Sequence, residues 1–206
     1  MLEPALLLGS FAFLGAGIKY IDCVFDENVF NEKLAYALAI VCGVFMGWLI
    51  VADQYAAVIL ISITLGVALG SKIDNIAFII GALLVLFVPL FLNQFQGILL
   101  FPIGILVLAE VIDDIGNGLS DSKRIQNKIM QFFFRYRLTL EVALIGLVVF
   151  NVMPVIYWLC LVSFDLAYHF VGGYADRVKL AQVRMTMGED ENEVWLRLDR
   201  KNKHAH

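Results

Sequence analysis

Long apolar runs, cut by short polar breaks, repeat along almost the whole chain and decide what it can fold into. A helix of about 17 to 20 apolar residues crosses a hydrocarbon core of about 30 Å, and lipid offers no water to pair exposed amides, so such runs are expected to be helical. Seven runs qualify: Pro4–Ile21, Leu34–Val51, Tyr55–Ser71, Ile76–Leu92, Gly97–Ile112 and the two halves of the stretch from Leu138 to about Phe170, which Asn151-Val-Met-Pro154 divides. A proline there can end one helix and start another. Composition agrees, since 61% of the 206 residues are apolar and only 17% charged. The expected fold is an all-α, polytopic transmembrane bundle over residues 1–180, followed by a polar tail at 181–206. The opening Met-Leu-Glu-Pro has neither a basic region nor a small-residue cleavage site, so the first run is expected to be a retained span.

Charge sets the expected orientation. The 15 lysines and arginines fall at Lys19, Lys33, Lys72, Lys123, Arg124, Lys128, Arg135, Arg137 and from Arg177 onward, whereas the breaks at Asp53, Asn93–Gln96 and Asn151–Pro154 hold none. Seven spans put every cation on one side, which the positive-inside rule makes the cytoplasm, with the N-terminus out and the C-terminus in. The segment 123–137 mixes cations with three consecutive phenylalanines and suits a helix lying in the membrane interface. Membrane lipids are therefore its expected surroundings.

Other features exclude functions. A net charge of -4 is wrong for a nucleic-acid partner. Cys23, Cys42 and Cys160 are odd in number, scattered and apolar in context, so they read as small core residues rather than a disulfide or metal framework. Gly43-Val-Phe-Met-Gly47 and Gly66-Val-Ala-Leu-Gly70 let helix backbones approach closely, within the chain or between copies in a homo-oligomer.

The chemistry concentrates where spans one, three and five end, at Lys19-Tyr-Ile-Asp22, Lys72-Ile-Asp74 and Val111-Ile-Asp-Asp114. Carboxylates gathered at one depth cannot all stay ionised without a cation among them. Mg²⁺ takes hard oxygen ligands and usually serves phosphate substrates, so Asp22, Asp26, Asp74, Glu110, Asp113 and Asp114 are the candidate metal ligands. Lys72, Lys123 and Arg124 are the candidate phosphate-binding cations. Gly116-Asn-Gly118 is expected to bend the chain after the acids.

The order of one Asp-rich segment, Asp22-Cys-Val-Phe-Asp26, and a second four spans later, Asp113-Asp-Ile-Gly-Asn-Gly-Leu-Ser-Asp121-Ser-Lys-Arg124, resembles the UbiA-type intramembrane prenyltransferases. The resemblance covers the arrangement over roughly residues 15 to 125. It differs in lacking an Asn-Asp lead-in to the first segment, a clean DxxxD in the second and the family's usual nine spans. It implies a Mg²⁺-dependent membrane enzyme of lipid metabolism that acts at the cytoplasmic face on a phosphate- or diphosphate-bearing, isoprenoid substrate.

Asp165 and His169 stand four apart in the last span, and an aspartate inside an apolar helix is expensive unless paired. They are candidate catalytic residues, with His169 as partner, base or proton relay. They also support a second reading, a cation or proton-coupled transporter or channel using Asp165, His169 and Asp74. Glu141 is expected to pair with Arg137 one turn earlier. A third reading is a non-catalytic membrane subunit whose loop charges are simply solvated.

Overall fold

The computed structural model describes residues 2–69, 75–92, 99–122, 127–135 and 138–187, the side chains of 117, 121, 135 and 184–187 excepted. Among the described residues the chain is all-helical, as expected, with α1 (Pro4–Glu27), α2 (Glu32–Ala52), α3 (Gln54–Leu69), α4 (Ile76–Leu92), α5 (Leu100–Asp121), α6 (Lys128–Arg135), α7 (Leu138–Val149) and α8 (Val155–Met187). Pro4 opens α1, where its missing N–H is no loss. Asn28 closes that helix in the left-handed region at φ 55°. Asn31 then caps α2, its Oδ1 accepting the Lys33 N–H at 2.9 Å.

Contacts fix the helix directions. α1 and α8 run side by side and parallel, from Ser163 donating to the Leu8 carbonyl, through Lys19 against Tyr168, to Lys179 beside Glu27. α2 and α4 are parallel too, Gly43 meeting Gly81 and Gly47 meeting Val88. α3 and α5 pair Ser62 with Ile103 and Gly66 with Glu110. Each helix of the bundle thus reverses the one before it, and α1, α2, α3, α5, α7 and α8 close a ring in which neighbours pack together. α4 flanks α2, while α6 lies against α5 and α7.

Close approach explains the glycines. A Cβ on Gly43 would come within 2.7 Å of the Gly81 carbonyl oxygen, so α2 and α4 touch backbone to backbone. The face of α2 that could have served a second copy is therefore covered by α4 of the same chain. Gly70 lies outside the described residues.

The core holds Phe11, Leu14, Leu60, Leu106, Leu144 and Phe164. The outer faces carry large exposed apolar side chains, such as Leu83, Leu86, Phe87, Leu90 and Phe91 on α4. Water would penalise such a surface and hydrocarbon would not. Three helices, at Pro4–Glu27, Glu32–Ala52 and Val155–Val183, are long and apolar enough to cross a membrane, and α3, α4 and α7 are shorter apolar helices. All three cysteines are free and buried.

Four boundaries differ from the sequence expectation. α1 continues past Ile21 to Glu27, so Asp22 and Asp26 stand on helical turns rather than in a loop. α5 continues through Gly116 and Gly118 instead of bending there. Helical glycine costs only about 1 kcal/mol, and a Cβ at Gly116 would collide with the Phe134 ring of α6, so that glycine serves helix packing. α7 is only 12 residues long, whereas α8 extends to 33. Asn151–Pro154 does separate them: Asn151 is left-handed at φ 57°, and the Val152 N–H reaches the Leu147 carbonyl at 2.9 Å. Within the expected interfacial segment, α6 leaves Ile129 and Phe132 exposed, and the tail beyond residue 187 lies outside the described residues.

Candidate functional site

Six helices line one cavity of about 160 Å³. Its wall is largely apolar, with Ile21, Met46, Ile63, Phe78, Val85 and Phe164 among the lining side chains. Oxygen-bearing groups enter from four helices: Asp22 of α1, Thr64 of α3, Asp114 of α5 and Tyr168 of α8. This is the place where candidates far apart in sequence meet.

Asp22 reaches the cavity because α1 stays helical past Ile21. Its Oδ2 takes the Lys19 ammonium at 2.6 Å and accepts the Tyr168 hydroxyl at 3.2 Å. Lys19 also lies 5.2 Å from the centre of the Tyr168 ring and 3.9 Å from Glu27, which holds Lys179 at 3.5 Å. A carboxylate in an apolar wall is costly without a counter-charge, and Lys19 supplies it.

Asp113 and Asp114 divide their labour. Successive helix residues point about 100° apart, so one of the pair faces the cavity and the other faces α7. Asp113 is fully buried and accepts the N–H groups of Thr139 at 3.2 Å and Leu140 at 2.9 Å, capping α7 from a neighbouring helix. Glu110, one turn earlier, is buried against α3, and a Cβ on Gly66 would come within 2.6 Å of the Glu110 Cβ. Asp26 is exposed. Of the six candidate metal ligands, then, the structure brings Asp22 and Asp114 to one cavity and places Asp113, Glu110 and Asp26 elsewhere. Among the described residues no three His, Cys, Asp or Glu side chains are grouped to hold a metal ion. Asp74, Lys72, Lys123 and Arg124 lie outside the described residues.

The pair on the last helix is arranged differently from expectation. His169 is exposed, and its Nδ1 is 2.8 Å from the backbone carbonyl of Asp165. Asp165 lies close to Glu141 on α7. The expected partner of Glu141, Arg137, is outside the described residues.

Two groups escaped the sequence reading. Tyr168 meets Asp22 across 146 positions, and only the packing of α1 on α8 brings them together. At the opposite end of the bundle Asp53 is buried, caps α3 through the Tyr55 and Ala56 N–H groups and accepts the Tyr157 hydroxyl at 2.7 Å. Its position before a fresh helix signalled the cap, but nothing local signalled Tyr157.

The cavity donors are hard oxygens on separate helices, a set suited to Mg²⁺, which keeps several waters and needs only one or two carboxylates. The apolar wall suits a hydrocarbon chain. Neither the protein-family models, nor the curated proteins, nor the solved structures contain a match to this chain.

Proposed function

We propose that the chain is a seven-crossing integral membrane protein, N-terminus out and C-terminus in, whose cavity binds an amphiphilic lipid substrate. The substrate's phosphate or diphosphate head would meet Mg²⁺ held by Asp22 and Asp114, and its chain, isoprenoid by the UbiA-type resemblance, would lie along the apolar wall. One observation carries this reading: two carboxylates from α1 and α5 open into the same apolar cavity. Bound Mg²⁺ would supply charge neutralisation at the phosphate oxygens of a departing group. The chain's own part would be to hold that head with Asp22 and Asp114, orient it with Thr64 and Tyr168, and keep water from the reacting bond. Lys72, Lys123 and Arg124 remain the candidate phosphate-binding cations of the sequence.

The alternating helix directions support the topology, as does the confinement of lysine and arginine to alternate connections in the sequence and to the tail. α7 spans only about 18 Å at 1.5 Å per residue, which a locally thinned bilayer accommodates. Cysteine labelling should place positions 94 and 180 on opposite sides; labelling of both from one side would refute seven crossings.

Binding of a short-chain prenyl diphosphate to the protein in nanodiscs tests the function. Saturable binding that EDTA abolishes and that Asp114→Asn weakens at least about tenfold is expected, and binding indifferent to both would refute the metal-bridged head. A second reading, a proton or cation carrier, draws on the approach of Glu141 to Asp165 between α7 and α8. Under it, Asp165→Asn abolishes ion flux in proteoliposomes while diphosphate binding is absent from the wild type.

A further inference from the structure

Lys19 has no role yet beyond neutralising Asp22, but its surroundings are unusual for an anchoring lysine. Its side chain is only 17% exposed and stands two turns before the end of α1 at Glu27, although lysine near a membrane surface normally extends to the headgroups and water. It is held inward by Asp22 at 2.6 Å, by the Tyr168 ring beneath its ammonium and by a gap at Gly172, where a Cβ would stand 3.1 Å from Lys19 Cε. Asp22 and Tyr168 both line the cavity. The ammonium therefore sits one hydrogen bond behind the cavity wall.

Resting on the reading above, we propose that Lys19 is the anion-binding residue of this cavity and the internal competitor for its cation. The charge count explains why both roles follow from one position. Two carboxylates with a divalent ion sum to zero and offer a phosphate little attraction. Lys19 adds one positive charge, which makes the loaded site a receiver for an anionic head. The same charge repels the divalent ion and occupies one oxygen of Asp22, so a cation bound there must displace or share that contact. Asp22 oxygen released to a metal frees the ammonium to turn toward the phosphate, and Tyr168 keeps the flexible side chain at the wall through its ring. The ligand class is a lipid phosphate or diphosphate in company with a divalent cation, not the cation alone.

The test uses the full chain in phosphatidylcholine nanodiscs and two titrations, Mg²⁺ alone and a short-chain prenyl diphosphate at saturating Mg²⁺. Lys19→Gln should bind Mg²⁺ about tenfold tighter and the diphosphate at least about tenfold weaker, opposite shifts of about 1.4 kcal/mol each. Lys19→Arg should stay within about threefold of wild type in both, because it restores the charge. Gly172→Ala crowds Lys19 Cε without removing the ammonium, and it should move both affinities in the same directions as Lys19→Gln by a smaller factor; it keeps the test alive if Lys19→Gln fails to fold. Affinities that fall together in Lys19→Gln, or that do not move, overturn the assignment while leaving the cavity reading intact. A wild type that takes up neither ligand refutes the cavity reading and this inference with it.

Discussion

The two ends of the bundle spend their carboxylates differently. At one end Asp53 is consumed by the fold: two backbone N–H groups and the Tyr157 hydroxyl converge on it. At the other, Asp22 and Asp114 open into a cavity, and the charge of Asp22 is balanced by Lys19, a side chain that can move. Asp113 shows that the second end also contains structural acids, since it caps α7 with both oxygens. A buried carboxylate fully occupied by backbone donors stabilises a helix end, whereas one bordering a cavity faces the space that a ligand would fill. Position in the chain does not separate these classes, because Asp113 and Asp114 are neighbours.

The contrast can be broken by substitution. Asp53→Ala should have the largest effect, about 3 kcal/mol of lost stability from one cap and one strong hydrogen bond, read by denaturant titration in mild detergent. Asp113→Ala should follow at about 2 kcal/mol, and an undiminished α7 protection in hydrogen exchange would remove its capping role. Gly66→Ala forces Glu110 away from α3 and should cost about 1 to 3 kcal/mol by overpacking. Asp114→Asn should change stability by less than about 1 kcal/mol yet weaken diphosphate binding at least about tenfold, sharpening the division at adjacent residues. Asp26→Asn should be the smallest, within about 0.5 kcal/mol and without effect on binding, because its side chain is exposed.

Much of the bundle was legible from local composition. The apolar runs and the break at Asn151 followed from residue type and period, as did the amphipathic stretch containing α6, because lipid imposes its rule on each segment separately. That Asp22 and Asp114 line one cavity was legible in outline, since alternate helices of a bundle end at the same face. Which of two consecutive aspartates turned inward was not, for that depends on where the amino end of α7 docks. Gly116 misled in the same way: it reads as a hinge until Phe134 of α6 is seen to lie against it. Tyr157 and Tyr168 reach their carboxylates across 104 and 146 positions, and pairings of that range are set by helix packing alone.

The central claim is that Asp22 and Asp114 act on one ligand, and a double-mutant cycle on Mg²⁺ affinity measures it most directly. If both grip the same ion, Asp22→Asn and Asp114→Asn each abolish most of the binding, and the double variant loses little more, leaving a coupling energy of at least about 1 kcal/mol. Independent, additive losses, or full Mg²⁺ affinity in either single variant, would show that the two carboxylates share a cavity without sharing a task.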